Sequence, residues 1–278
     1  EAALYVDPYY ATYPGTIRAA SSVAVPVETR AEDGFLPDPA AVDAAARDSG
    51  ARSLLINTPN NPTGVVYPRA TLAGLAEVAR ARDLWVISDE VYDAQVWEGA
   101  HLSPRAIPGM AARTLVIGSM SKSHAMTGSR LGWIVGPPEA VDALIDLSTN
   151  TTYGTPGYIQ DAAAFALDRG ESPEAAVAAP FRRRRDAVLR RLAGQDAVGV
   201  IPSQGAMYLM LDIRGTGLSG RDFAERLLDD EGIAVMPGES FGRSAAGHVR
   251  VALTVDDDRL LDAVGRLCAF AAGLARAA

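Results

Sequence analysis

The sequence predicts an α/β protein: a mostly parallel sheet, followed by a smaller α+β unit. Three observations predict it. Short apolar runs rich in Val, Ile and Leu alternate with helical patterns through the first half. The spacing between runs is that of strand, helix, strand, which requires a crossover and therefore parallel pairing. Beyond about residue 156 the order changes to helices followed by shorter strands, the pattern of a separate α+β layer.

The elements follow from period and punctuation. Residues 53–56, 84–88, 114–118 and 132–135 are continuous apolar runs bounded by polar residues, Gly or Pro, and read as buried strands. Between the first two, residues 68–82 carry apolar side chains at 72, 75, 76 and 79, with Pro68 placed to begin a helix. In such sheets ligands bind outside the carboxyl ends of the strands. Residues 57–64, 89–92 and 119–130 lie there. Further on, 138–147, 158–169 and 181–192 read as helices, 207–213 as an alternating strand and 220–230 as a helix. Residues 233–236 and 248–253 read as strands, and 257–275 as a last helix. The expected division is a large unit, 1–155, and a small one, 156–278. The run Arg182–Arg185 points all around a helix and reads as a solvated face with some interhelical salt bridges.

Composition narrows the function. Apolar residues make up 48% and charged residues 22%, ordinary for a globular core. A net charge of −8 argues against nonspecific nucleic-acid binding, which needs clustered basic charge. No apolar run approaches the roughly 20 residues needed to span a bilayer. The lone Cys268 excludes an internal disulfide framework, suits a cytoplasmic location, and sits in an apolar helical pattern as a packed thiol. Of 26 basic residues, all but Lys122 are arginine. Arginine is not deprotonated in proteins, so chemistry needing a free side-chain amine must use Lys122.

The residues around Lys122 give that amine a context. Ser119-Met120-Ser121-Lys122 leaves the end of a predicted strand and runs through Gly128 to Arg130. Hydroxyls, glycine backbone and a guanidinium together make a phosphate cup. A lysine beside that cup can form an imine with an aldehyde cofactor carrying the phosphate.

With these residues the sequence resembles the class I/II aminotransferases of pyridoxal-phosphate (PLP) fold type I, along essentially its whole length. That family's Ser-x-Ser-Lys followed by Gly-x-Arg-x-Gly is met by Ser119–Gly132. Asn61-Pro62-Thr63-Gly64, Asp89-Glu90-Val91-Tyr92 and His248-Val249-Arg250 match three further signatures, in the family's order. Taken singly, the first is an ordinary turn, Asp89 a helix cap, Tyr92 a core aromatic and Arg250 half of a structural ion pair. Their order around Lys122 favours chemistry.

The resemblance implies the fold, the cofactor pyridoxal 5′-phosphate and a role for each residue. Lys122 would hold the cofactor as a Schiff base and shuttle the proton. Asp89 would pair with the pyridine nitrogen. Asn61 and Tyr92 would hydrogen-bond the phenolic oxygen, and Asn61 would also adjoin the substrate. Ser119, Ser121 and Arg130 would hold the phosphate, Tyr10 would stack on the ring, and Arg250 would clamp the substrate's carboxylate. The implied activity is ping-pong transfer of an amino group from an L-amino acid to a 2-oxo acid, in a homodimer, with no metal. His124, His101 and His248 have no metal-ligand spacing and read as hydrogen-bonded structural residues. Two other readings stay open on the same residues: a PLP-dependent C–S β-lyase, and an effector-sensing domain of a regulator. Against the family the chain begins late. A substrate-covering segment, a phosphate-binding loop and a tyrosine donated across the dimer would precede residue 1. Asn150 stands where dicarboxylate-specific relatives carry an arginine, which weakens an aspartate or glutamate preference.

Overall fold

The structure, a computed structural model, describes residues 1–277. In chain order the first elements are β1 (Ala2–Asp7), α1 (Tyr13–Ala19), β2 (Val23–Glu28), α2 (Pro39–Ser49) and β3 (Ser53–Asn57). Next come α3 (Arg69–Ala81), β4 (Trp85–Asp89), β5 (Thr114–Ser119), α4 (Met120–Ser123) and β6 (Gly132–Val135). They are followed by α5 (Pro138–Thr151), α6 (Gly157–Leu167), α7 (Ser172–Leu192), β7 (Gly199–Val200) and β8 (Tyr208–Asp212). The last are α8 (Gly220–Glu231), β9 (Met236–Pro237), β10 (His248–Ala252) and α9 (Asp257–Ala277).

Six strands form the first sheet in the order β2-β1-β3-β4-β5-β6; only β6 runs antiparallel, against β5. Alternate residues of its central strands, Leu4 and Val6, Leu54 and Ile56, and Val86, are buried in one cluster with Val42 and Ala46 of α2 and Leu72, Leu75 and Ala79 of α3. The sequence reading assigned neither β1 nor β2. β2 contains Pro26, which cannot donate to a ladder, and accordingly it lies at the sheet's edge. α2 begins at a capping Asp38, whose side chain accepts from the Ala40 amide, and ends at Gly50 in the left-handed region.

The second sheet, β7-β8-β10-β9, is antiparallel. It packs through Leu209, Leu211, Val249 and Val251 on α7, α8 and α9, with Cys268 buried among them as expected for a packed thiol. Three expectations change here. Residues 233–236 are not a full strand: α8 closes on Gly232 in the left-handed region, and only Met236 and Pro237 pair with β10. Pro237 lacks the N–H that a longer ladder needs. The arginine run is also not uniformly solvated. Arg183 and Arg184 pair with Asp257 at the start of α9, at 2.7 and 2.8 Å, and their hydrogen bonds draw its pKa down to about 2. Arg185 instead is buried, donating to the Ser203 carbonyl at 2.7 Å and to Glu98. α7 starts at Ser172, well before the expected 181, because Pro180 inside it looks like a helix start.

Register positions the site. Asn57 lies opposite Asp89, and Asp89 opposite Ile117 two residues before Ser119. The carboxyl ends of β3, β4 and β5 therefore place their following loops side by side at one edge of the sheet.

Candidate active site

Those loops enclose a cavity of about 260 Å³. Eight of the nine residues singled out from the sequence line it: Tyr10, Asn61, Asp89, Tyr92, Ser119, Ser121, Lys122 and Arg130. Arg250 does not line it directly. It sits against the wall, where its Nη1 donates to Asn61 Oδ1 at 2.8 Å.

The Asn61 loop is held by its own side chains. Asn57 Oδ1 accepts from the Asn61 amide at 2.8 Å, and Asn60 Oδ1 accepts from both the amide and hydroxyl of Thr63. Gly64 adopts φ +74°, and a Cβ there would fall 2.2 Å from Ser203 Oγ, so the turn needs glycine. Thus the loop is a tight turn, as its composition suggests, and the turn delivers Asn61 to the cavity.

Asp89 ends β4 with its carboxylate largely buried. Its Oδ2 accepts from Tyr13 Oη at 2.5 Å and its Oδ1 from the Val91 amide at 3.2 Å. Burial raises its pKa, while those two donors pull it back. Tyr13 is a site residue that the motif reading passed over. Its phenol is pushed well above 10 by burial first and by Asp89 second, so it remains a donor to the carboxylate. The only sequence signal was its place in Pro8-Tyr9-Tyr10-Ala11-Thr12-Tyr13, at the start of α1 just ahead of Pro14.

Lys122 stands on the single turn α4. Ser119 caps that turn, its Oγ accepting from the Ser121 amide at 3.0 Å and donating to the Leu131 carbonyl at 3.3 Å. Arg130 takes the left-handed region (φ 55°) and donates to the Thr127 carbonyl at 2.9 Å. This unusual backbone returns the chain toward α4, and cation, amine and hydroxyls all line the cavity.

Tyr208 of β8 is the second residue not foreseen. Its hydroxyl receives a hydrogen bond from Tyr92 Oη at 3.3 Å, and its ring lies 4.3 Å from the Arg250 guanidinium carbon. Phe241 flanks Arg250 as well, at 4.6 Å. Arg250 Nε is buried with no protein partner. Two rings and one amide oxygen thus hold the fork of a guanidinium whose Nε is still to be satisfied. No local pattern marks Tyr208, because it comes from the second sheet. His124 shares a hydrogen bond with Ser123 Oγ at 2.9 Å, and His101 pairs with Glu90 at 2.8 Å.

Comparison with known proteins bears on these features. The family model for aminotransferases of class I and II matches residues 1–267. An arginine–pyruvate transaminase of Pseudomonas aeruginosa is 44% identical over 271 residues, covering 98% of this chain and 69% of that protein. An aspartate/prephenate aminotransferase of Thermus thermophilus is 38% identical over 278 residues, covering 99% of this chain and 69% of its own. Among solved structures, an aromatic aminotransferase from Pyrococcus horikoshii superposes with a TM-score of 0.93 at 32% identity, covering 97% of this chain and 72% of that one. Fold, cavity and match over nearly its full length agree: the chain belongs to the class I and II aminotransferases.

Proposed function

We propose that the protein transfers an amino group from an L-amino acid to a 2-oxo acid, with pyridoxal phosphate as cofactor and Lys122 as the reacting amine. The observation that carries this reading is the convergence of Lys122, Asp89, Asn61, Tyr92 and Arg130 on one cavity, with Arg250 joined to it through Asn61.

The residues suit that cofactor. A phosphorylated pyridine needs cationic and hydroxyl donors at one end and a carboxylate at the other. The cavity has Arg130, Ser119, Ser121 and Thr127 in its wall, and the buried carboxylate of Asp89. When bound, pyridoxal phosphate supplies an aldehyde that condenses with amines and a protonated ring that withdraws the electron pair left at the substrate's α-carbon. The protein supplies the rest. Tyr13 and the Val91 amide orient the Asp89 carboxylate and offset part of the burial that raises its pKa; in its charged form that carboxylate would favour a protonated ring nitrogen. Asn61 and Tyr92 present donors to the phenolic oxygen, and Tyr10 presents its ring for stacking. Arg250 clamps the substrate's carboxylate. Lys122 Nζ would take the proton from the substrate's α-carbon and deliver it to the cofactor's C4′. The β-lyase and sensor readings gain nothing from the relatives, which are named aminotransferases and transaminases.

An amino-acid panel on full-length holoprotein tests the reading, starting from L-arginine and L-aspartate with no acceptor present; pyruvate added afterwards is expected to restore the band. Loss of the cofactor's visible band with one oxo acid released per site, and no ammonia, is expected. Ammonia with pyruvate formed from a sulfur amino acid would instead establish lyase chemistry.

The protein is further proposed to act as a cytoplasmic homodimer, with residues 1–155 and 156–278 as its two units. The second cluster lies wholly within 156–278, which supports the division, while the first also takes in Ile201, Met210, Phe241 and Ala245. The dimer rests on apolar surface. Trp133, Ile134 and Val135 of β6, Ile145 of α5, and Tyr158 and Phe165 of α6 are all exposed, with Ile134 and Ile145 lining one groove, and large apolar surface left uncovered marks a contact surface. Sedimentation of the holoprotein is expected to give a dimer at micromolar concentration. A monomer throughout that range would refute it. No described helix is long and apolar enough to cross a membrane.

A further inference from the structure

We propose that Asp7 is a positioning residue for substrate binding: its carboxylate fastens the loop that carries Phe241, and Phe241 in turn holds Arg250 in place beside the cavity. The proposal rests on the reading of Arg250 as the carboxylate clamp.

Asp7 closes β1 at the carboxyl edge of the sheet and is only 2% exposed. Its Oδ2 accepts from the Arg243 amide at 2.9 Å and its Oδ1 from the Ser244 amide at 3.2 Å. Successive amides of this kind form an anion-binding cup, and here the anion is a side chain from the other sheet. Gly242 precedes the cup at φ +119°, where a Cβ would fall 2.0 Å from Asp7 Oδ1. Two further bonds fasten the same loop: the Tyr9 amide donates to the Phe241 carbonyl at 2.9 Å, and the Thr29 amide to Ser244 Oγ at 3.1 Å. The loop is therefore tied on both sides of the stretch that leads from β1 to Tyr10. Phe241 is 1% exposed and its ring backs the Arg250 guanidinium. Arg250 makes no salt bridge within the described residues, so the rings and Asn61 alone set its direction.

The groups facing Asp7 are Glu28 on β2, Tyr5 on β1, Tyr9 after it, and Ser244 on the loop; Arg18 of α1 acts on the two tyrosines. Burial raises the Asp7 pKa from 3.8 to about 6, against the two amides that lower it. The sign follows. A raised folded pKa gives stability that is complete below 3.8 and is lost as pH rises through about 6. At neutral pH the ionised carboxylate therefore costs the fold stability, which fits a group kept for positioning.

Steady-state kinetics of the holoenzymes of wild type, Asp7→Asn and Arg250→Ala test this above and below pH 6. Above pH 6, Asp7→Asn is expected to raise KM for the amino acid roughly tenfold with kcat changed less than about twofold, the loss of one charge-assisted bond acting through binding alone. Below pH 6 the ratio of variant to wild-type KM is expected to fall towards unity, because wild-type Asp7 is then itself uncharged. Equal KM above pH 6, a ratio that ignores pH, or a fall in kcat alone overturns the proposal. If Arg250→Ala also leaves KM unchanged, the clamp reading fails; if it raises KM while Asp7→Asn does not, only the positioning role fails. Should Asp7→Asn not fold, amide protection of Arg243 and Ser244 in wild-type holoprotein decides. Protection that weakens below pH 6 supports the role, and protection unchanged across it refutes the role.

Discussion

Lys122→Ala is expected to lower kcat by at least roughly ten-thousandfold, since one amine both anchors the cofactor and moves the α-proton. The comparison that isolates the amine is Lys122→Arg. Arginine keeps the positive charge beside Ser119, Ser121 and Arg130 and so preserves phosphate attraction, but it cannot lose its proton to act as a base. Both variants should therefore be equally inactive, while Lys122→Arg retains more affinity for the phosphate group. Because Lys122 is the only lysine in the chain, borohydride reduction of the holoprotein should fix the cofactor to one internal peptide. Label at the N-terminal amine, or activity in Lys122→Arg within a hundredfold of wild type, would end the assignment.

The second large effect is expected at Asp89. Asp89→Asn should reduce kcat about a thousandfold, the scale of losing one charge aimed at the transition state. The change is nearly isosteric, so the fold should stand: the Val91 amide can still donate to the remaining oxygen, and the Tyr13 hydroxyl can rotate. What is lost is the negative charge that keeps the ring nitrogen protonated. The measurement is single-turnover loss of the visible band with a saturating amino acid, alongside the cofactor's dissociation constant. A variant with normal turnover but weak cofactor binding would reduce Asp89 to an anchor. Asp89→Glu should not rescue, because the longer side chain cannot keep both Tyr13 and Val91 as donors.

Both residues were legible in the sequence alone. Lys122, Arg130, Asp89 and Asn61 lie in segments that directly follow predicted strands, Lys122 and Arg130 within the same one. Local composition carried that information: Gly64 for a turn with positive φ, Ser119 for a cap, and Pro68 just ahead of α3. Parallel pairing then placed Asn57 against Asp89, and hence their loops together, at one edge.

Other features had no local signature. Tyr208 and Phe241 reach Arg250 from the second sheet and the loop beside it, and neither residue's neighbours differ from those of an ordinary core aromatic. Asp7 closes an unassigned strand, and its partners are amides 236 and 237 residues away. β2 was hidden by Pro26, and the burial of Arg185 by three arginines that resemble it. The sequence by itself determined the α/β order and the segments that carry Lys122, Asp89 and Arg130 to one cavity, because these depend on residues close in the chain. Only the tertiary structure decided how Arg250 is held and which tyrosine bonds Asp89. Those are contacts between chemically ordinary side chains, made specific by where the two sheets bring them.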